Sequence, residues 1–206
     1  MKEGKVKNIL RALILIILAP YIGYLVCKKH YIITLVTFFS IIIVFTFALV
    51  NKKVDLNIID VQSAFNRGFK RNETKYIVIH HTAGDTSAVV NDIVKIHFKE
   101  RQWDGIGYHF FISANGIVYQ LRGIDEAKVP HALGFNDNSI AICISGNFSE
   151  NECPELQWEI ALELVRGLME KYGLTSDDVK GHRELPNNPE ECPGILFDMK
   201  KFREDL

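Results

Sequence analysis

Three residues in this 206-residue chain have the types that hold a catalytic metal: His80, His182 and Cys192. Zinc in a catalytic site takes three protein ligands from His, Cys or carboxylate and keeps a fourth position open to water. His80 and His182 each close a strand-like run, and Cys192 lies on the loop after the second. Six of the seven histidines (His80, His81, His97, His109, His131 and His182) lie beyond residue 53, at the ends of such runs or in loops. Sites are commonly built there, on connections held by a rigid scaffold. Spacing alone leaves a second reading open, because a single histidine is commonly packed or solvated and a single cysteine commonly a small buried hydrophobe.

A ligand set of this kind needs strands to hold it. Lys75–His80 is a short β-branched apolar strand. Asp85-Thr86-Ser87 offers N-cap residues for a helix with Val89, Val90, Ile93, Val94 and Phe98 on one face. On that helix His97 reads as a core histidine. Ile106–Ser113 and Ile117–Leu121 flank Ala114-Asn115-Gly116, a hairpin turn signal. Ser139–Ser145 is a further strand, with Cys143 a small core hydrophobe. Pro154 suits the first turn of a helix with Trp158, Ala161, Leu162, Val165, Leu168 and Met169 inward, ended by Gly173. Val179–His182 reads as a last strand and Ile195–Asp205 as a closing helix. Strands alternating with helices, plus one hairpin, predict an α/β domain: a mixed central β-sheet flanked by helices.

The segments YIVIHHTAG (76–84), WDGIGYHFFI (103–112), NGIVYQLRG (115–123), HALGFNDNSIAICISGNF (131–148) and GHRELPNNPEECPG (181–194) occur in this order. Together they resemble the zinc-dependent N-acetylmuramoyl-L-alanine amidases, the superfamily of type 2 amidases, phage lysozyme-type amidases and peptidoglycan-recognition proteins. The resemblance covers roughly residues 74–206. It implies hydrolysis of the amide between N-acetylmuramic acid and L-alanine, with one Zn2+ ligated by His80, His182 and Cys192. Recognition relatives that do not cut lack the first histidine or the cysteine, so both being present favours an enzyme. Zinc makes water a nucleophile near neutral pH, and the Tyr108 hydroxyl is implied as a donor to the developing oxyanion or the holder of the water. His131 aligns with a groove histidine that contacts substrate, while Thr82, Trp103, Arg122 and Asn136 are implied to line the glycan–peptide groove.

One position departs from the family. Relatives usually carry Lys or Thr two residues before the cysteine; here the residue is Glu190, and the interval from His182 to Cys192 is two residues longer than the common form. A carboxylate serves as general base toward water; alternatively the longer loop carries Glu190 away, and Glu184 or no residue takes its place.

Composition sets the remaining expectations. The net charge is −1 and no basic stripe is interleaved with aromatics, which argues against a nucleic-acid partner. Four scattered cysteines make no disulfide framework. Ala12–Cys27 and Tyr31–Val50 are uncharged runs of 16 and 20 residues, about 24 and about 30 Å as helices, against a bilayer core of about 30 Å. They predict a retained membrane anchor of one or two transmembrane helices over residues 1–53, a lead-in at 54–73 and the amidase domain at 74–206. A hairpin would put six positive residues beside two in the turn, the count of a cytoplasmic domain; a single span would put the domain outside. The substrate argues for the second. The expected protein is bound to the cell membrane through its lipid bilayer, with an extracytoplasmic domain acting on peptidoglycan. A cytoplasmic-side amidase for recycled muropeptides and a non-catalytic peptidoglycan receptor are the alternatives.

Overall fold

The computed structural model describes residues 38–45, 56–61, 70–71, 73–85, 87–103, 105–125, 130–188 and 191–206. The chain divides into two units, residues 1–52 and 53–206. In the first, residues 38–45 are helical, and Phe39, Ile41, Ile43, Val44 and Phe45 are exposed. The apolar run 12–27 lies outside the described residues, as does the run 31–50 apart from 38–45. Among the described residues no helix is long and apolar enough to cross a membrane. The expected cell-membrane localisation, with the bilayer as partner and an extracytoplasmic domain, is therefore withdrawn. Run hydropathy reports which surroundings a segment tolerates, whereas a span requires a continuous helix of full length.

The second unit carries a six-stranded sheet: β1 (Ile58–Asp60), β2 (Tyr76–His81), β3 (Phe110–Ile112), β4 (Val118–Gln120), β5 (Ser139–Ile144) and β6 (Val179–Gly181), in the order β1-β4-β3-β5-β2-β6. Only the β3/β4 hairpin is antiparallel, so the sheet is mixed, as the alternation of elements predicts. Its turn contains Gly116 at φ 78°, which a side chain would strain. The central strands β2 and β5 are buried almost throughout, which explains their unbroken apolar runs, since parallel strands are covered on both faces. Alternation divides them. Ile77, Ile79, Ile140, Ile142 and Ile144 face one cluster with the helix Glu155–Tyr172, while Val78, His80 and Cys143 share the other face. Burying a side chain such as Ile142 stabilises by about 1.5–3 kcal/mol.

Among the described residues, the α-helices of this unit are α1 (Val90–Val94), α2 (Glu155–Tyr172) and α3 (Met199–Glu204). α1 runs into a π-helical turn over Lys95–Glu100. That wider turn takes the expected stripe out of phase: His97 is 3% exposed and Phe98 37%. In α2, Pro154 is the N-cap, one position earlier than expected, and Gly173 at φ 66° closes the helix in the left-handed conformation. Its buried face includes Gln157, whose Nε2 donates to the Ser145 carbonyl at 2.9 Å and ties the helix to the end of β5.

Candidate metal centre

The register of β2 and β6 sets Ile79 opposite Gly181, so the next residues along the two parallel strands are His80 and His182. Both therefore stand at the carboxyl ends of parallel strands, where open α/β sheets hold their ligands. His182 opens a 3-10 turn over His182–Glu184. From there the chain loops out and returns, closed by the Arg183 N–H donating to the Cys192 carbonyl at 2.6 Å. The Arg183 guanidinium also donates to the carbonyls of Gly194 and Phe197, fixing the segment beyond Cys192. Gly194, at φ 112°, lies so close to Phe148 that an added Cβ would stand 2.2 Å from the Phe148 carbonyl carbon. This loop closure places Cys192 beside the two imidazoles.

One donor atom each from His80, His182 and Cys192 lie within 4.8 Å of one another. Cys192 Sγ is 3.6 Å from His80 Nδ1, and the rings of His80 and His182 are 4.4 Å apart. Burial, with His131, His182 and His81 adding, holds His80 well below the ordinary imidazole pKa. Burial likewise lowers that of His182, and it pushes the Cys192 thiol up to about 11. Two buried neutral imidazoles with lone pairs and one half-buried thiol, convergent on one point, match the donor set of a three-ligand zinc site with one open position. The residues fit the metal.

Tyr108 is half-buried with its ring 5.3 Å from that of His80. Burial, then Cys143 and Cys192, raises its pKa well above the ordinary phenol value, so the hydroxyl keeps its proton at neutral pH. His131 is buried, its Nδ1 3.0 Å from His80 Nε2 and its Nε2 3.0 Å from Ser139 Oγ. The other expected groove residues engage the fold itself. Thr82 Oγ1 accepts from the Gly146 N–H at 2.9 Å and donates to the Gly146 carbonyl at 3.2 Å. The Trp103 ring lies against His97, centroids 4.7 Å apart, beneath the Arg101 guanidinium. Arg122, 2% exposed, reaches the Ile106 carbonyl at 3.4 Å. Asn136 Oδ1 accepts from the N–H groups of His131 and Ala132, and so shapes the loop that carries His131. Glu184 accepts from both Arg203 Nη atoms at 2.8 and 2.9 Å and from the Gly181 N–H. Glu190 lies outside the described residues.

Sequence reasoning passed over Asn188 and Ser139, which hold His182 and His131 by hydrogen bonds. The only signal for Asn188 was the extra length of its loop, and a serine opening a strand gives none.

A mixed sheet with His80 and His182 buried at the carboxyl ends of β2 and β6, and half-buried Cys192 beside them, defines an α/β scaffold with a candidate metal centre. The chain belongs to the N-acetylmuramoyl-L-alanine amidase family (Amidase_2), whose match covers residues 70–195. It is 33% identical over 141 residues to peptidoglycan-recognition protein SC2 of Drosophila melanogaster, an alignment spanning 65% of this chain and 75% of that protein. Among solved structures, the N-acetylmuramoyl-L-alanine amidase LysC from Clostridium intestinale URNW superimposes with a TM-score of 0.64 at 32% identity, over 73% of this chain and 97% of that one. The Ph2119 endolysin of a Thermus scotoductus MAT2119 bacteriophage does so with a TM-score of 0.61 at 28% identity, over 72% and 97%. Amidases, an endolysin and recognition proteins are thus its kin.

Proposed function

We propose that this chain hydrolyses the amide bond between N-acetylmuramic acid and L-alanine in peptidoglycan, with one zinc ion held by His80, His182 and Cys192. The observation that carries this reading is the convergence of those three donor groups within 4.8 Å. When bound, zinc supplies Lewis acidity, activating water near neutral pH and polarising the amide carbonyl. The protein's own groups do the rest. Tyr108, protonated beside the cluster, donates its hydroxyl hydrogen to the oxygen that gains charge as the carbonyl is attacked. Glu190, two residues before Cys192 in the sequence, takes the proton from the attacking water as general base. His131 stays behind His80 and is read as a support for that ring.

The same family includes recognition proteins such as the Drosophila relative, so binding of peptidoglycan without cleavage is the second reading. Metal analysis of the purified chain, coupled to release of L-alanine-terminated stem peptide from peptidoglycan, separates the two. The amidase reading expects about one zinc per chain, stem peptide released, and both lost in His80→Ala. A metal-loaded protein that releases none, with His80→Ala indistinguishable from wild type, overturns it.

A further inference from the structure

Each of the two histidines in the cluster turns one ring nitrogen away from it, and the hydrogen bonds behind them decide where the ring proton sits. Behind His182 stands Asn188. The Leu133 N–H can only donate, so the Asn188 atom 2.8 Å from it is the acceptor Oδ1. The carbonyls of Leu133 and Pro186 can only accept, so Nδ2 faces them at 3.2 and 2.9 Å. The carboxamide orientation is thereby fixed, and its Oδ1 also lies 2.9 Å from His182 Nε2. An acceptor there requires Nε2–H, which in the neutral ring leaves the lone pair on Nδ1.

A second hydrogen-bond relay runs behind His80. The Phe135 carbonyl accepts from the Ser139 hydroxyl at 2.5 Å, which commits the serine proton. Ser139 Oγ can then only accept from His131 Nε2–H, 3.0 Å away. His131 Nδ1 keeps its lone pair and accepts from His80 Nε2–H at 3.0 Å. His80 Nδ1 is left bare, and it is the atom that faces Cys192 Sγ at 3.6 Å.

We infer that Asn188 and His131 are positioning residues that hold His182 and His80 as Nε2–H tautomers, so that both rings present Nδ1 to the metal. The inference rests on the zinc reading above. Both relays are anchored in one segment, 131–139, through the Leu133 backbone, the Phe135 carbonyl and Ser139. That loop orients two ligands while standing behind them. Asn188 joins it to the lengthened 182–192 loop, and all four of its carboxamide hydrogen-bonding positions are used. Partners that fix the tautomer of a ligating histidine typically account for 10–100-fold in metal affinity.

Long-range proton–nitrogen correlation spectra of the metal-free full-length chain test this without relying on turnover. The expected result is Nε2–H for both His80 and His182; a dominant Nδ1–H form of either overturns the inference. In Asn188→Ala, His182 should become a tautomer mixture while His80 keeps its form, and Zn2+ affinity measured against a competing chelator should fall about 10–100-fold. His131→Asn, which retains an acceptor near the place of Nδ1, should stay close to wild-type affinity, whereas His131→Phe should lose about 10–100-fold. Equal Zn2+ affinities in all of these proteins overturn the inference and leave the zinc reading standing. A wild type that binds no Zn2+ ends the zinc reading, while its ring tautomers still decide the inference. The wild-type spectrum carries the test where a variant fails to fold.

Discussion

The Tyr108 ring stands 5.3 Å from the ring of His80, and Tyr108 packs against the cluster that holds Cys143, the β5 residue paired with His80 in the sheet register. The phenol is thus held over the candidate centre from the strand next to the one that carries a proposed ligand. Removing only its oxygen should separate chemistry from assembly. Tyr108→Phe is expected to lower kcat about 10²–10³-fold, the usual loss for one oxyanion donor, with KM and zinc content near wild type. Steady-state kinetics on a soluble muropeptide checks it, and an unchanged kcat removes Tyr108 from the reaction.

Glu190, two residues before Cys192, is the proposed general base, so its contribution is best read by removing charge at constant shape. Glu190→Gln should retain zinc and lower kcat about 10²–10⁴-fold, the range ascribed to general acid–base catalysis. The low-pH limb of the kcat/KM profile should disappear with it. A variant with wild-type kcat and the same limb assigns the proton to another group.

Much of the scaffold was legible because its signals are local. The β-branched runs at 75–80 and 139–145 became β2 and β5, and Asn115-Gly116 became the hairpin turn. Helix α2 follows its apolar stripe to Gly173, where the left-handed residue stops it. The errors arise where long-range packing decides. Strand β3 occupies only Phe110–Ile112 of the expected Ile106–Ser113, because Ile106 and Gly107 are taken up by contacts with Arg122 and His97 from distant elements. His97 is buried as expected, but the π-helical turn that leaves Phe98 37% exposed has no signature in a 3.6-residue pattern. At the centre, the family motifs pointed to three residues that the fold brings together, but the partners behind them could not be read. Asn188 and His182 are six residues apart along a loop whose path no periodicity describes.

Two glycines give opposite expectations from the same substitution. An Ala at Gly194 would place Cβ 2.2 Å from backbone of Phe148 at a φ of 112°, so the turn carrying Cys192 must move. Gly194→Ala is expected to lose at least about 2 kcal/mol of stability and to bind zinc more weakly. Gly167 lies inside α2 with nothing within 4 Å of an added Cβ, and Gly167→Ala should gain about 0.8–1 kcal/mol from helix propensity. Urea unfolding of both against wild type decides the matter; equal midpoints would mean that the loop yields freely.

Two buried histidines outside the proposed ligand set, His97 and His81, make the fold sensitive to acid. His97 accepts from the Gly107 N–H at Nδ1, 3.1 Å away, with its ring 4.7 Å from Trp103 and 5.3 Å from Tyr108. Burial, with Arg101 adding, lowers its pKa from 6.5 to about 4. Burial and then Arg183 bring His81, whose Nδ1 accepts from the Phe148 N–H, to about 4 as well. In the unfolded chain these rings take up protons below about 6.5, whereas in the folded chain they stay neutral until about 4. The unfolded state binds more protons across that window, so their stabilisation is complete above pH 6.5 and is lost as pH falls toward 4. For each ring the slope approaches about 1.4 kcal/mol per pH unit. His97→Asn offers the Gly107 N–H an acceptor that cannot titrate, so it should flatten the decline between pH 6.5 and 4.5 by roughly one proton's worth. Urea denaturation of the metal-free protein across that range measures it. Parallel curves for variant and wild type would show that His97 takes up its proton equally in both states.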